Sequence, residues 1–432
     1  MIGTETEAIN WIYSFSSSKS ERCLAHMHEI LAKLDNPHQK LKTVHIAGTN
    51  GKGSTVAYIC EGFMQAGYKV ATFTSPYMIC FGERMSINNI PMPEADLVKY
   101  ANLLKSSLPC STCAYTPFDI ITLISFLYFV GAAVDIAIYE TGIGGRLDST
   151  NVIAPLAAAI TNVGHDHAEI LGETQLERAI EKLGIIKEKV PLFTTVEDPD
   201  LLAEFEKVCK EKNATFYQVL EDAELISNDS DGIVFNCRGD RYVCFNMYGE
   251  HQFKNAALAV GILGYLGLFC GFTEVSCQLQ ISNTTWQGRF EQLQEEPPIV
   301  LDGAHNLEGI QALIHTLKKV YSKYKKKFLF SAIGTKDVEQ MIRLLSEVAE
   351  AITFTKGTHL QSVAPEVLLK YDGGYFGPMY EENPQRIFED YKEAVELELK
   401  KLKTDEILVI CGSLYFISDV RKYLLERRRF SN

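Results

Sequence analysis

Short apolar runs alternate with longer helical stripes along most of the chain. Thr43 to Ala47 reads as a buried strand, and from Ser54 the residues Val56, Ile59, Cys60, Phe63 and Met64 share one helical face. Lys69–Phe73, Val134–Tyr139 and Ala157–Thr161 read as further strands. Pro91–Ser107, Phe118–Phe129, Thr174 through Lys187 and Phe253–Leu266 read as helices. Residues 1–42 carry two helical segments, in which Leu24, Met27, His28 and Leu31 fall on one face, so His28 reads as a packed residue. Strand–helix alternation continues to about residue 219, and Gly232–Tyr248 reads as a hairpin.

Ser282 to Pro298 is polar, acidic and poor in pattern, which places a boundary there. Alternation then resumes: strand Ile299–Asp302, helix Leu307–Val320, strand Phe328–Ile333, helix Val338–Val348, strand Ala351–Phe354, helix Pro384–Lys401, strand Ile407–Cys411 and a final helix. The triplet Lys325-Lys326-Lys327 reads as a solvated turn. The rhythm predicts an α/β protein: a doubly wound N-terminal domain (1–284), a linker (285–297) and a smaller α/β, Rossmann-like C-terminal domain (298–432). Polar residues gather where strands end, at Thr49, Ser75, Glu140 and His167, and again at Asp302, Gly334, Thr355 and Gly412. Such sheets hold ligands at those edges, so two edges facing across a cleft are expected.

Composition narrows the function. A net charge of −13 argues against nucleic acid as a partner, because that binding depends on neutralising phosphates. Ile120 to Ile138 is interrupted by Gly131 and Asp135, so it reads as helix plus strand rather than a membrane span. The N-terminus carries no basic, apolar leader, and the 11 cysteines are scattered and odd in number. Reduced thiols in a cytoplasmic protein are therefore expected. Cys110 and Cys113 form a CxxC without a second ligand pair at zinc spacing, so no zinc is expected.

The chemistry starts in the stretch from Val44 to Thr55. Gly48, Thr49, Asn50, Gly51, Lys52, Gly53, Ser54 and Thr55 follow a strand and open a helix. That is the layout of a phosphate-binding loop: backbone N–H groups and the helix N-terminus hold the anion, Lys52 reaches its outer oxygens, and a hydroxyl such as Ser54 faces Mg²⁺. The common pattern has Gly or Ala six residues before the lysine and Ser or Thr directly after it. Ile46 and Gly53 stand at those positions.

The loop resembles the G-T-N-G-K-x-S variant of the Mur ligase superfamily of ATP-dependent amide-bond formers. Glu140-Thr141-Gly142-Ile143-Gly144-Gly145-Arg146-Leu147-Asp148-Ser149-Thr150-Asn151 resembles the E-T-G-x-G-G-R-x-D-A-T-N signature of the folylpolyglutamate synthase and dihydrofolate synthase family. Thr161 to His167, Leu171 to Thr174, Glu181 to Ile185, Gly249 to Gln252 with Asn255-Ala256, Trp286 to Arg289, Asp302 to Asn306 and Gly412 to Tyr415 resemble its further motifs, in order over nearly the whole chain. Tyr77, Asp119, Ser149 and Gln287 stand where the family has His, Glu, Ala and Pro. Three of the four fall in the pterin-binding half.

The resemblance implies roles residue by residue. Residues 48–55 with Asn255, Arg289 and Asp302 would bind ATP, the last three from the far side of the cleft. Ser75, Glu140, His167, Ser54 and a carbamylated Lys182 would hold two Mg²⁺ ions. Lys52, Lys182 and His305 would be catalytic. Thr116, Phe118, Asp148 and Ser149 would line the pterin pocket, and His305 and Ser413 would meet the incoming glutamate. A monomer acting on a folate or pteroate with ATP and L-glutamate is implied, without zinc, flavin or NAD. The alternatives are a polyglutamylating enzyme without dihydrofolate synthase activity, a Mur-type ligase for another carboxylate, and a nucleotide-binding regulator without catalysis.

Overall fold

The computed structural model describes residues 1–15, 23–108, 115–275, 281–334, 337–372 and 386–431. Cys110 and Cys113 lie outside the described residues. The chain divides into two compact units: Met1–Glu224 with Phe235–Val243 and Phe253–Ser282, and Leu225–Val234 with Cys244–Gln252 and Asn283–Asn432.

The first unit is built on an eight-stranded sheet in the order β4-β3-β2-β5-β1-β6-β7-β8. Its strands are β1 (Thr43–Ala47), β2 (Val70–Phe73), β3 (Met85–Ile87), β4 (Ile90–Pro91), β5 (Ile136–Glu140), β6 (Ala157–Ile160), β7 (Leu192–Thr194) and β8 (Phe216–Gln218). The central β1 pairs in parallel with β5 on one side and β6 on the other. The antiparallel edge of β3 and β4 lies in the polar stretch after Ser75, where the sequence pattern predicts only loop.

Helices α1 (Glu5–Tyr13), α2 (Ala25–Lys33), α3 (Lys52–Gln65), α4 (Glu94–Ser107), α5 (Pro117–Gly131), α6 (Ala168–Leu171), α7 (Gln175–Leu183), α8 (Pro199–Glu211) and α9 (Glu250–Phe269) accompany these strands. Several boundaries have a local cause. Helix α5 starts at a capping box, in which Thr116 Oγ1 accepts from Asp119 N while the Asp119 side chain accepts from Thr116 N, and Pro117 occupies the first turn. Thr174 and Glu177 make the same device for α7. That helix stops at Leu183 rather than Lys187, and its C-cap Gly184 packs so closely against Arg146 that no side chain would fit. In α2 the buried face is Met27, Ile30 and Leu31, and His28 is exposed. The buried stripe is thus rotated from the expected one.

Strands β9 (Ala223–Asp229), β10 (Gly232–Cys237) and β11 (Asp240–Cys244) form a small separate sheet with β10 at its centre. The second unit has a six-stranded sheet in the order β12-β13-β17-β14-β15-β16: β12 (Glu291–Gln294), β13 (Ile299–Leu301), β14 (Lys325–Phe330), β15 (Ala349–Thr355), β16 (Ile387–Phe388) and β17 (Glu406–Cys411). Most pairings are parallel, and β12, within the stretch expected to be linker, adds an antiparallel edge. The lysine triplet is not a turn. It opens β14, where Lys327 meets the buried Glu406 at 2.8 Å and Lys325 meets Asp405 at 3.2 Å. The last interior helix starts at Tyr391, behind the short strand β16, and the expected start at Pro384 lies outside the described residues.

Candidate active site

Three adjacent strands of the first sheet, β5, β1 and β6, bring their C-terminal loops together. The loop after β1 turns on Gly51, which has φ +84° and caps α3. A Cβ there would lie 3.1 Å from Cγ of Asn255 and closer still to its Oδ1, so only glycine fits. The loop is strapped to the exit of β6. Asn162 Oδ1 accepts from Thr49 N at 3.1 Å and from Asn50 N at 2.8 Å. Thr161 Oγ1 donates to Asn50 O at 2.6 Å, and Gly164 N donates to Thr49 Oγ1 at 2.9 Å. The N–H groups of Thr49 and Asn50 are thereby engaged. Lys52, Gly53 and Ser54 open α3, and the first turn of a helix is where an anion binds.

Lys52 Nζ donates to Gly48 O at 3.0 Å and to Thr49 O at 3.1 Å, and it lies 3.8 Å from Glu140 Oε1. The other oxygen of Glu140 accepts from Ser75 N at 3.1 Å. Glu140, at the end of β5, is buried, as are Ser54 and Thr55. The structure therefore joins Lys52, Glu140 and Ser75 in one cluster. Lys182 is buried on α7, and burial followed by the nearby charge of Lys52 lowers its amine to about 7, against a weaker opposing pull from Asp166.

His167 has φ +52° at the start of α6, with its ring 3.8 Å from both Asp166 and Glu169. Its loop hangs on Arg178, a buried guanidinium that donates to Gly164 O (2.9 Å), Gly172 O (3.0 Å) and Glu173 O (2.8 Å). Among the described residues no group of three or more His, Cys, Asp or Glu side chains could hold a metal. The oxygen donors present, a buried carboxylate with Ser54 and Ser75, suit a hard cation such as Mg²⁺.

Of the residues expected around a pterin, Thr116 and Ser149 meet at Asp119. Asp119 Oδ2 accepts from Thr116 N at 2.7 Å and from Thr116 Oγ1 at 2.8 Å, and Ser149 Oγ donates to Asp119 Oδ1 at 2.5 Å. Phe118 is half-buried, 5.6 Å from the ring of Phe73 and against Gly142. Asp148 is a staple within its own loop: one oxygen takes Gly142 N and Ile143 N, the other Thr150 N and Thr150 Oγ1. Burial raises its pKa and these donors oppose the rise. Tyr77 lies under the guanidinium of Arg84, 5.2 Å from it.

Asn255, expected on the far side of the nucleotide, belongs instead to the first unit and faces the phosphate loop. Within the second unit, Asp302 follows β13 and takes Phe290 N (2.9 Å) and Ala304 N (2.8 Å). Burial raises its pKa and Arg289 opposes that. His305 is exposed, with Nδ1 2.7 Å from Gly303 O, and the buried Ser413 follows β17, the neighbour of β13. Arg289 lies near both Asp302 and His251, and burial followed by the charge of Arg289 lowers that histidine to about 4. Sequence reasoning gave no role to Asn162, Arg178 or His251. All three lie inside or beside motifs, but only side-chain geometry shows what they hold.

Residues 46–263 match the Mur ligase middle domain and residues 288–414 the Mur ligase glutamate ligase domain. The dihydrofolate synthase/folylpolyglutamate synthase of Bacillus subtilis (strain 168) is 37% identical over 433 residues, covering 97% of this chain and 98% of that protein. The crystal structure of folylpolyglutamate synthase from Thermotoga maritima superposes with TM-score 0.83 at 30% identity, covering 98% of this chain and 96% of the other. A complex of a folylpolyglutamate synthase with AMPPCP and folate gives TM-score 0.82 at 27% identity, covering 98% and 100%. A phosphate loop fused to a buried carboxylate and a buried lysine, in a chain with these relatives throughout its length, places it among the ATP-dependent carboxylate–amine ligases: it belongs to the folylpolyglutamate synthase/dihydrofolate synthase family of Mur ligases.

Proposed function

We propose that this chain adds L-glutamate to the γ-carboxyl of tetrahydrofolates and to 7,8-dihydropteroate, through an acyl phosphate. The observation that carries the reading is the cluster of Lys52, Glu140 and Ser75 at the N-terminus of α3. The relative from Bacillus subtilis carries both activities in its name, which supports the double assignment.

In this reading the substrate carboxylate attacks the γ-phosphorus of ATP and ADP departs. Lys52 offsets charge on the transferring group, and the N–H donors of α3 hold the remaining phosphates in place. The glutamate amine then attacks the acyl carbon, and inorganic phosphate leaves with one oxygen of the original carboxylate. Glu140, Ser54, Ser75, His167 and a carbamylated Lys182 would hold two Mg²⁺ ions, which neutralise phosphate charge when bound. An amine near 7 suits carbamylation: at neutral pH much of Lys182 is uncharged and able to attack CO₂. Asn255, Arg289 and Asp302 are assigned to the nucleotide, and His305 and Ser413 to glutamate. Thr116, Phe118, Asp148 and Ser149 are assigned to the pterin, with Asp148 acting by shaping the loop.

The domain division 1–284 and 298–432, joined by 285–297, is kept as part of the proposal. So are a monomer and a cytoplasmic site of action. The eight described cysteines are all free thiols, which agrees with a reducing compartment, and among the described residues no helix is long and apolar enough to cross a membrane. The test is glutamate-dependent ADP release with tetrahydrofolate, dihydropteroate or a muramyl nucleotide as acceptor. Turnover with the first two and none with the third is expected. Turnover with tetrahydrofolate alone would remove the dihydrofolate synthase half.

A further inference from the structure

The strand that leads into the phosphate loop carries a polar side chain that its neighbours do not. His45 lies in the middle of β1 and is buried, and strand alternation puts Val44 and Ile46 on the opposite face. Its Nε2 lies 2.8 Å from Thr150 Oγ1. Thr150 Oγ1 lies 2.5 Å from Asp148 Oδ1, which also accepts from Thr150 N at 3.0 Å. Asp148 Oδ2 accepts from Gly142 N at 2.8 Å and from Ile143 N at 3.1 Å. A line of buried side chains thus runs from β1, through the turn Ser149–Val152, to the backbone that follows β5.

Proton accounting gives the line a direction. The donors around Asp148 are the N–H groups of Gly142, Ile143 and Thr150 and the Thr150 hydroxyl, a full set for an ionised carboxylate, which has no proton to give back. The one proton of the Thr150 hydroxyl therefore points at Asp148. Its lone pair faces His45, so Nε2 carries the ring proton and Nδ1 is bare. Nδ1 is buried and has no hydrogen-bond partner among the described residues. A second ring proton would sit there unpaired, which is costly in a dry site. Burial, and after it the charge of Lys187, lowers the ring to about 3. Tyr139, opposite His45 in β5, shares its hydroxyl with Ser125 at 3.2 Å, and burial keeps that hydroxyl protonated. The ring is a neutral donor with one fixed proton.

We infer that His45 is a positioning residue for the acceptor: its Nε2–H, relayed through the Thr150 hydroxyl, holds the Asp148 carboxylate and the Gly142–Ile143 backbone in the arrangement that meets the pterin ring. The inference rests on the assignment of Asp148 and its loop to the pterin. The phosphate loop does not need the relay, since Asn162 and Thr161 strap it. Loss of the His45 donor should therefore weaken the acceptor and spare ATP.

Two measurements test this on the full-length protein. The first uses the wild-type chain labelled with ¹⁵N-histidine, with the His45 signals assigned by their absence in His45→Gln. Long-range ¹⁵N–¹H spectra should show the tautomer protonated at Nε2 from pH 6 to 8. A proton on Nδ1 in that range, alone or as a second proton, would overturn the inference, and no ligase activity enters that result. The second measures initial rates with ATP, L-glutamate and either tetrahydrofolate or dihydropteroate. In His45→Leu the KM for the acceptor should rise about tenfold or more while the KM for ATP stays within about twofold. His45→Gln, whose amide nitrogen can reach the place of Nε2, should recover most of that loss. Thr150→Val should reproduce it, and joining Thr150→Val to His45→Leu should add little, as expected of residues that act in one line. An unchanged acceptor KM in His45→Leu and Thr150→Val, or equal rises for acceptor and ATP, would overturn the inference while leaving the ligase reading intact. No turnover by the wild-type chain with either acceptor would bring down the ligase reading, and the inference with it.

Discussion

Burial, with the charge of Lys52 second, loosens the proton on Lys182 before any ligand arrives. Its amine sits near 7, whereas in the unfolded chain it would titrate near 10.5. Between those values the unfolded state binds the extra proton, so this residue's contribution to stability rises with pH through that window. Lys182→Met keeps the length and removes the buried amine. The thermal midpoint near pH 7 should stay level or rise, while ligation falls by about 100-fold or more. A midpoint that falls together with activity would make the lysine structural. Activity that needs a carbamate requires the neutral amine, so kcat should rise as pH passes upward through about 7. A kcat profile flat from pH 6 to 8 would count against that role.

Gly51 gives a second prediction at this scale. Alanine there would hold a side chain at φ +84° and run into Asn255. A loss of about 1–3 kcal/mol of stability is expected from the backbone alone. ATP affinity should fall by about tenfold or more, which calorimetric titration would read. Unchanged affinity would show that the loop's shape tolerates the intrusion and that Asn255 is not fixed against it.

At the scale of elements, the C-terminal loops of β5, β1 and β6 act as one assembly only because buried polar side chains tie them down. Asn162 holds the phosphate loop, and Arg178 holds the loop that carries His167. Arg178→Ala would leave three carbonyls without their donor, at a cost of about 2–3 kcal/mol. Arg178→Lys should rescue little, because a single ammonium cannot span Gly164, Gly172 and Glu173 as the fork does. A lysine variant with wild-type melting temperature would refute that account.

The strands and most helices were legible because apolar spacing reports burial directly, as for β1 and the helix Leu307–Val320. The lysine triplet misled because it joins a sheet, where the half-buried Lys327 pairs with Glu406, a partner about 80 residues away in sequence. His28 misled because Ile30 and Leu31 rotate the buried stripe. In the site, Lys52, Glu140 and Ser75 could be read from motif order at strand ends. Asn162 and Arg178 could not, since hydrogen bonds to backbone atoms leave no periodic trace.

At the scale of the whole molecule, each unit is a mainly parallel sheet with charged side chains at strand C-terminal ends. Glu140 and Lys52 lie in the first unit, and Arg289, Asp302 and His305 lie in the second. The net charge of −13 is no obstacle to an anionic substrate when Lys52 and the N-terminus of α3 set the local field. The central claim is that a carboxyl group of the acceptor is phosphorylated before the amide forms. The most direct measurement uses tetrahydrofolate labelled with ¹⁸O in its γ-carboxylate, with ATP and L-glutamate, and reads the released inorganic phosphate by mass spectrometry. One labelled oxygen per turnover in the phosphate is predicted, and phosphate released without label during amide formation would contradict the account.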